Sequence, residues 1–527
     1  MTGERSSGRT GTITRGRTPG KPDEPDTRAA PWWRGPYAVL AGLMVLWAVA
    51  VTLQHQWAGD FRLHLATIDE LQRNPWHPRD PMVGAAEGSP YYSPYMVFLA
   101  LAGHGVSART LLEIAGIVNI VLLLAGVWRF VGRRAGTFPA VLTVVFWLLL
   151  WGTEPRDWSG FLGLYSLSWT LSYPSTLATA LMLFIWDATL TWLDRPAGWR
   201  RPALIGALGF LVVLIHPFTA INTIIGVAAF ALCRPHRLRA ALTSWRSVRW
   251  LLVAAVVAGL AALLWPWSDI TTLLGASGDF SEIHRPLIAD IIRDWGLPGY
   301  GLAAVCVPAL VLARRRVLGR ELQALFLGAV LVLAVGVLVL GNYGFGRVIP
   351  VVLLPLHIAL AIRLGTAARR TGVRLAYGAV AVLFCLVGVV ANVGGLVRVG
   401  HVDAAVAKKW NVRESASPYD ALTPLIRPGS VVISTRSWSR RVVNARGAFS
   451  VQPGWPYPFV NEDERTRDVK TFFRKGTTPQ ERQRIADRYH VACVLAWHRS
   501  PPLRPGGLAG FDRRTVSGKY VLACRSL

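Results

Sequence analysis

The stretch PYAVLAGLMVLWAVAVTLQHQWAGDFRLHLATIDELQR, residues 36–73, carries the reading of the whole chain. Its first half, Tyr37 to Leu53, holds no charged residue and approaches the roughly 20 apolar residues a helix needs to cross about 30 Å of hydrocarbon. Arg28 and Arg34 precede it, so its N-terminus is expected on the cytoplasmic side. The second half changes pattern. Phe61, Leu63, Leu65, Ile68 and Leu71 make Phe61 to Gln72 an amphipathic helix suited to lying on the membrane surface. Between the two stands Asp60, with His64 on its face at i, i+4 spacing. Asp60 is placed either to cap that helix or to act as a carboxylate at the membrane surface. A signal peptide also begins with basic residues and a short apolar run, but here many more apolar runs come after it.

Those runs lie near 110–131, 137–152, 174–193, 203–216, 218–233, 250–266, 299–313, 321–341, 347–362 and 375–395, which with the first makes about eleven expected spans. Composition agrees: of 527 residues 52% are hydrophobic and 17% charged, 22 are Trp, and the mean hydropathy is +0.36. Lys and Arg number 57 against 30 Asp and Glu, a net charge of +27 carried almost wholly by Arg. Threading the spans alternately puts Arg133 and Arg134, Arg195 to Arg201, Arg234 to Arg249, Arg314 to Arg320 and Arg363 to Arg374 all on the N-terminal side. Positive charge in cytoplasmic loops orients a polytopic membrane protein, so the excess is read as topology and no nucleic-acid partner is expected. Five Cys, with no C-x-x-C, argue against a disulfide scaffold or a zinc site.

The chain divides into three units: a disordered cytoplasmic tail, 1–35; a membrane domain, 36–398, with outer loops 54–109, 154–173 and 268–298; and an extracytoplasmic α/β domain, 399–527. The fold class expected is therefore an α-helical polytopic membrane protein with a small C-terminal α/β domain. In the last unit SVVIS, VACVLAW and YVLAC have strand length, and Thr477 or Thr478, Pro479 and Glu481 open a helix. Cys493 and Cys524 lie in two of the strands; they could pair in an oxidising compartment or remain buried thiols.

Candidate chemistry gathers in the outer loops. Glu154 and Asp157, among Trp158, Tyr165, Trp169 and Tyr173, suit a polyhydroxylated ligand, although Trp and Tyr also form interfacial belts. His216 and Arg347 fall at outer ends of spans, where ionisable residues are costly and are functional candidates. A guanidinium fork matches a phosphate, although Arg347 could equally snorkel to headgroups. His284 and Arg285 make the same case more weakly.

Taken in order, these features resemble the GT-C superfamily of integral-membrane glycosyltransferases. In that family a cytoplasmic N-terminus and one span lead to an outer loop whose first acidic residue is the catalytic base, the position of Asp60 here. SPYYSPY (89–95), FGRVIPVVLLPLHIALA (345–361), the PGS before a strand (428–430), the GWPYPF turn (454–459), VKTFFR and TPQERQRIADRY are similar in kind and order to stretches of bacterial members. The resemblance implies transfer of a sugar from a polyprenyl-phosphate donor, mannose or arabinofuranose, to a glycan or glycolipid acceptor of the cell envelope at the outer face of the membrane. Asp60 would be the base, Arg347, with His216 or Arg285, the phosphate clamp, and His64, Glu154 and Asp157 substrate contacts. No cofactor is required; a divalent ion such as Mg²⁺ would suit Glu154 and Asp157. A transporter or flippase of lipid-linked glycans is the competing class, and a scaffold of the envelope a third. Clustering of charge at one face, without internal repeats, favours transfer over transport.

Overall fold

The computed structural model describes residues 35–55, 59–85, 88–154, 156, 158–196, 198–269, 271, 281–293, 296–366, 372–400, 403–410, 419, 421–455, 457 and 459–525. The tail expected over 1–35 lies outside these residues save for Gly35, and Asp157 lies outside them too.

Helix dominates, and a five-stranded sheet closes the chain. Five helices are long and apolar enough to cross a bilayer: Ala108–Ala135, Pro174–Asp194, Gly319–Val339, Tyr343–Gly365 and Gly372–Ala391. Pro217–Cys233 adds a sixth if it is joined to Pro235–Thr243 across a 95° bend. The eleven-span expectation is therefore not supported. Several apolar runs fold into helices below spanning length, among them Pro36–Thr52 and Thr137–Leu149. The run at 299–313 breaks into α and 3₁₀ pieces, Leu297–Tyr300, Gly301–Cys306, Val307–Val311 and Leu312–Arg315. Pro298 and Pro308 each lack the N–H that a continuous helix would use. The surface of the bundle is itself apolar: Leu338, Val339, Leu383, Leu386 and Val390 point outward. Long apolar side chains exposed in this number are costly in water and suit a hydrocarbon solvent.

The first helix, α1 (Pro36–Thr52), packs on Ala108–Val127, and the Tyr37 hydroxyl donates to Leu124 O at 2.6 Å. Next in the chain is α2 (Phe61–Arg73), amphipathic as its spacing predicts, with Phe61, Leu63, Leu65, Ile68 and Leu71 all buried. Gly59 directly precedes its N-cap residue. Its φ of +59° is open to glycine, and a Cβ there would sit 3.3 Å from the Tyr173 hydroxyl. Ser93 caps the juxtamembrane helix Pro94–Ala102 by accepting from Met96 N.

The sheet runs β2-β1-β3-β5-β4, with β1 (Val431–Ile433), β2 (Phe449–Ser450) and β3 (Val491–Trp497) parallel, and β4 (Arg513–Ser517) and β5 (Tyr520–Cys524) added antiparallel. Thr478 caps Pro479–Arg488 by accepting from Glu481 N. Cys493 and Cys524 are directly opposed on β3 and β5 and form a disulfide. The domain does not hang free. Met82 O, in the outer loop, accepts from Ser450 N at 2.7 Å and from Asn444 Nδ2 at 2.8 Å, so the loop continues the β2 edge. Leu63, Met82 and Val83 form a small core with Tyr457 of the domain.

Candidate active site

Helix α2 begins at the seam between membrane bundle and domain. Asp60 stands at its N-cap position, yet its carboxylate accepts no capping bond from the helix; only its backbone carbonyl serves, taking His64 N at 3.0 Å. The carboxylate turns instead to the domain. The indole Nε1 of Trp455, in the GWPYPF turn, donates to Asp60 Oδ1 at 2.8 Å. Among the described residues Oδ2 has no hydrogen-bond partner, and Asp60 is half-buried. One oxygen is held and the other is open. The Phe61 N–H, next along the backbone from the Asp60 carbonyl, donates to the Tyr173 hydroxyl at 3.2 Å, which ties the turn to the bundle.

Behind Asp60, His64 is almost wholly buried, its ring edge-on to Tyr173 at 5.1 Å and its Nδ1 without a partner. Burial pushes its pKa down to about 4, with Asp60 opposing the shift, so the imidazole is neutral near neutral pH. It offers a donor and an acceptor but no charge.

The bundle side supplies the cations. Arg347 enters from the Gly-rich turn Tyr343–Val348 and is buried, with Nη2 donating to Ser159 Oγ at 2.9 Å and its backbone carbonyl accepting from Asn222. Trp158 and Phe218 flank its guanidinium at 5.7 and 5.4 Å. It interacts electrostatically with Asp60. A side chain so placed does not snorkel. His216 closes the helix Arg200–Ile215; its Nε2 lies 3.4 Å from Ser159 Oγ and its Nδ1 2.8 Å from Thr219 Oγ1. Ser159 thus bridges His216 and Arg347, and a narrow cleft lined by Ser159, His216, Phe218, Asn222 and Arg347 opens beside them.

Other expected residues divide. His284 is buried against Trp158 and Phe218, within electrostatic reach of His216. Arg285, its neighbour, turns outward, pairs with Glu282 at 3.4 Å and lies over Tyr343. Glu154 is exposed, and its backbone N–H donates to Pro298 O at 2.7 Å. The structure thus gathers Asp60, His64, His216, His284 and Arg347, and leaves Arg285 and Glu154 at the margin. No three His, Cys, Asp or Glu side chains among the described residues converge to hold a metal ion. Glu154 alone makes no such site.

Two residues with no role in the sequence-based reading stand at the centre: Trp455 and Arg441. The Arg441 guanidinium lies 4.4 Å over the Trp455 ring, and its Nε donates to Gly454 O at 3.2 Å. Behind them Tyr457 stacks on Tyr91 and its hydroxyl donates to Gly88 O at 3.4 Å, close to the buried Asp80. Asp80 Oδ1 accepts from Met82 N and Val83 N, and burial raises its pKa to about 6 despite those bonds. The only forward signal was the GWPYPF turn itself, an aromatic turn in a polar domain.

No protein-family model and no curated protein matches the sequence. Among solved structures, the chain is similar to an Archaeoglobus fulgidus oligosaccharyltransferase in complex with Zn and sulfate, with a TM-score of 0.46, 14% identity, and coverage of 87% of this chain and 68% of that one. The same enzyme tethered with an acceptor peptide containing the NVT sequon gives a TM-score of 0.47 at 13% identity, covering 89% and 70%. The archaeal oligosaccharyltransferase AglB from that organism, in complex with an inhibitory peptide and a dolichol-phosphate, gives 0.44 at 12% identity, covering 88% and 70%.

Proposed function

We propose that this chain is a membrane glycosyltransferase that moves a sugar from a polyprenyl-phosphate donor to a glycan or glycolipid acceptor at the outer face of the membrane, with Asp60 as general base. The observation that carries the reading is the setting of Asp60: a carboxylate with one oxygen held by Trp455 and the other open, opposite a buried Arg347.

In this reaction the acceptor hydroxyl attacks the anomeric carbon from the face opposite the leaving phosphate. Asp60 Oδ2 takes the hydroxyl proton as the new C–O bond forms, and the phosphate departs with the electron pair of the old one. Trp455, by occupying Oδ1, aims Oδ2 at the incoming hydroxyl. Arg347 meets the developing phosphate charge in a site lined by Trp158 and Phe218, where low polarity strengthens the attraction. His216 and His284 add hydrogen bonds beside it, and neutral His64 contacts a sugar hydroxyl. The N-terminus is cytoplasmic and the C-terminal domain outside, a topology supported by the Cys493–Cys524 disulfide, since such bonds persist in oxidising compartments. A transport reading needs charged groups at mid-bilayer, whereas these converge on a juxtamembrane helix.

Asp60→Asn tests the reading. Sugar transfer in membranes falls by about 10²–10⁴-fold at unchanged protein level, the usual weight of a positioned general base. Retention of more than half of the wild-type rate removes Asp60 as the base.

A further inference from the structure

We infer that the Ser159 hydroxyl is a second donor to the phosphate of the lipid-linked sugar, working beside Arg347, and that His216 holds the hydroxyl in the orientation this requires. The inference rests on the glycosyl-transfer reading and adds to it a binding residue that carries no charge.

His216 precedes Pro217 and takes an extended backbone as the N-cap of the helix Pro217–Cys233. Its Nδ1 accepts from Thr219 N at 3.3 Å, and the Thr219 hydroxyl lies 2.8 Å from the same atom. A ring nitrogen that accepts a backbone N–H carries no proton, so the imidazole is neutral and its proton sits on Nε2. That Nε2–H donates to Ser159 Oγ at 3.4 Å, a long bond. Ser159 Oγ also accepts from Arg347 Nη2 at 2.9 Å. A hydroxyl oxygen has two lone pairs and one hydrogen. Both lone pairs are engaged by N–H donors, which leaves the hydrogen to be donated, and no described residue accepts it.

Ser159 is half-buried and lines the cleft with Arg347, His216 and Asn222. Accepting from a guanidinium polarises a hydroxyl and makes it a stronger donor. A phosphate resting on Arg347 brings its oxygens next to a hydroxyl 2.9 Å from the same guanidinium, and a bond from a hydroxyl to an oxyanion is about twice as strong as a neutral one. A water in the cleft is the competing acceptor. There is room for about one, and Asn222 Oδ1, buried and without a partner, would take its proton. The Asn222 amide is fixed in that sense by its Nδ2, which donates to Arg347 O at 3.2 Å. Charge favours the phosphate. As the glycosidic bond breaks, its electron pair moves onto the phosphate oxygens, and the Ser159 bond strengthens in a way that a bond to water does not.

The test uses the full-length protein in nanodiscs of zwitterionic lipid and compares binding of farnesyl phosphate with that of farnesol. Wild type is expected to bind the phosphate more tightly. Ser159→Ala lowers affinity for farnesyl phosphate about tenfold, the weight of a hydrogen bond to a charged group, with farnesol binding and the melting temperature unchanged. Ser159→Thr, which keeps the hydroxyl, recovers most of the loss. The double variant separates contact from support. If Ser159 only steadied Arg347, its removal would cost nothing once the guanidinium is gone, whereas a direct contact predicts a further loss of about threefold or more when Ser159→Ala is added to Arg347→Ala. Unchanged farnesyl phosphate affinity in Ser159→Ala overturns the inference and gives the proton to the water. A double variant equal to Arg347→Ala overturns it as well and leaves Ser159 a positioning residue, with the glycosyl-transfer reading intact. A wild type that binds farnesyl phosphate no better than farnesol removes the phosphate site, and that reading falls with it.

Discussion

The helical bundle treats charge differently in two places. At the end remote from Asp60, arginines meet carboxylates: Arg129 and Arg134 share Asp187 at 3.2 and 2.6 Å, and Arg234 spans Asp194 and Glu321 at 2.5 and 2.7 Å. Around Asp60, Arg347 and Arg441 both have that carboxylate as an electrostatic partner, and His64 beside it is kept neutral by burial. Buried ion pairs that are fully matched hold helices in register and bind nothing further. A surplus of one sign in a partly buried site costs stability, and its persistence marks a place where a ligand completes the balance.

Breaking the matched end gives the largest effect on folding. Asp187→Asn leaves Arg134 buried beside an amide, and the loss is about 3 kcal/mol, the lower end for a broken buried pair because Arg129 is half exposed and hydrates. Thermal unfolding in detergent measures it, while the rate of transfer per folded molecule stays at the wild-type value. A rate loss as large as the stability loss removes the contrast between the ends.

At the unmatched end the effect falls on catalysis rather than folding. Trp455→Phe keeps a ring for Arg441 to stack on but deletes the N–H to Asp60 Oδ1. The maximal rate drops by about tenfold, the weight of a hydrogen bond to a charged group, and donor affinity is unchanged. Arg347→Lys has a smaller expected effect, about fivefold weaker apparent donor binding, because the charge stays and the fork is lost. Equal donor kinetics in wild type, Arg347→Lys and Arg347→Ala would remove that residue from the site.

The smallest effect concerns the seam between the two regions. Asp80, which anchors Met82 and Val83 through their backbone N–H groups, has its pKa raised to about 6 in the folded protein from 3.8. A raised folded pKa means that the native state binds the proton more tightly, so stability is gained as pH falls through about 6 and is absent above it. Compared with Asp80→Asn, the wild type should therefore gain relative melting temperature as pH falls from about 7 to about 5. His64 runs the other way in both chains, with its folded pKa lowered to about 4, and cancels in the comparison. A difference between the two proteins that does not change with pH assigns Asp80 no titration in that range.

How much of this is written locally is uneven. Helix α2, the cap at Thr478, and strands β1, β3 and β5 come from periodicity and turn residues within a few positions of one another. The convergence of Asp60, His216 and Arg347 came from placing polar residues at span ends. Strand β2 is two residues long and β4 is Arg- and Ser-containing, so neither carries an apolar signature. The number of spanning helices was overestimated because hydropathy counts apolar runs and is blind to where Pro298 and Pro308 interrupt them. The roles of Trp455 and Arg441 were out of reach for a different reason. Each is defined by a partner almost four hundred positions away, and no spacing rule connects such residues.

That distance also sets a schedule. Trp455 follows Asp60 by 395 residues, which at about 5–20 residues per second separates their synthesis by tens of seconds. During that interval Arg347 and His216 precede the indole that donates to Asp60. Under the glycosyl-transfer reading, the donor half of the site is therefore synthesised before the half that orients the base, and the C-terminal domain completes it.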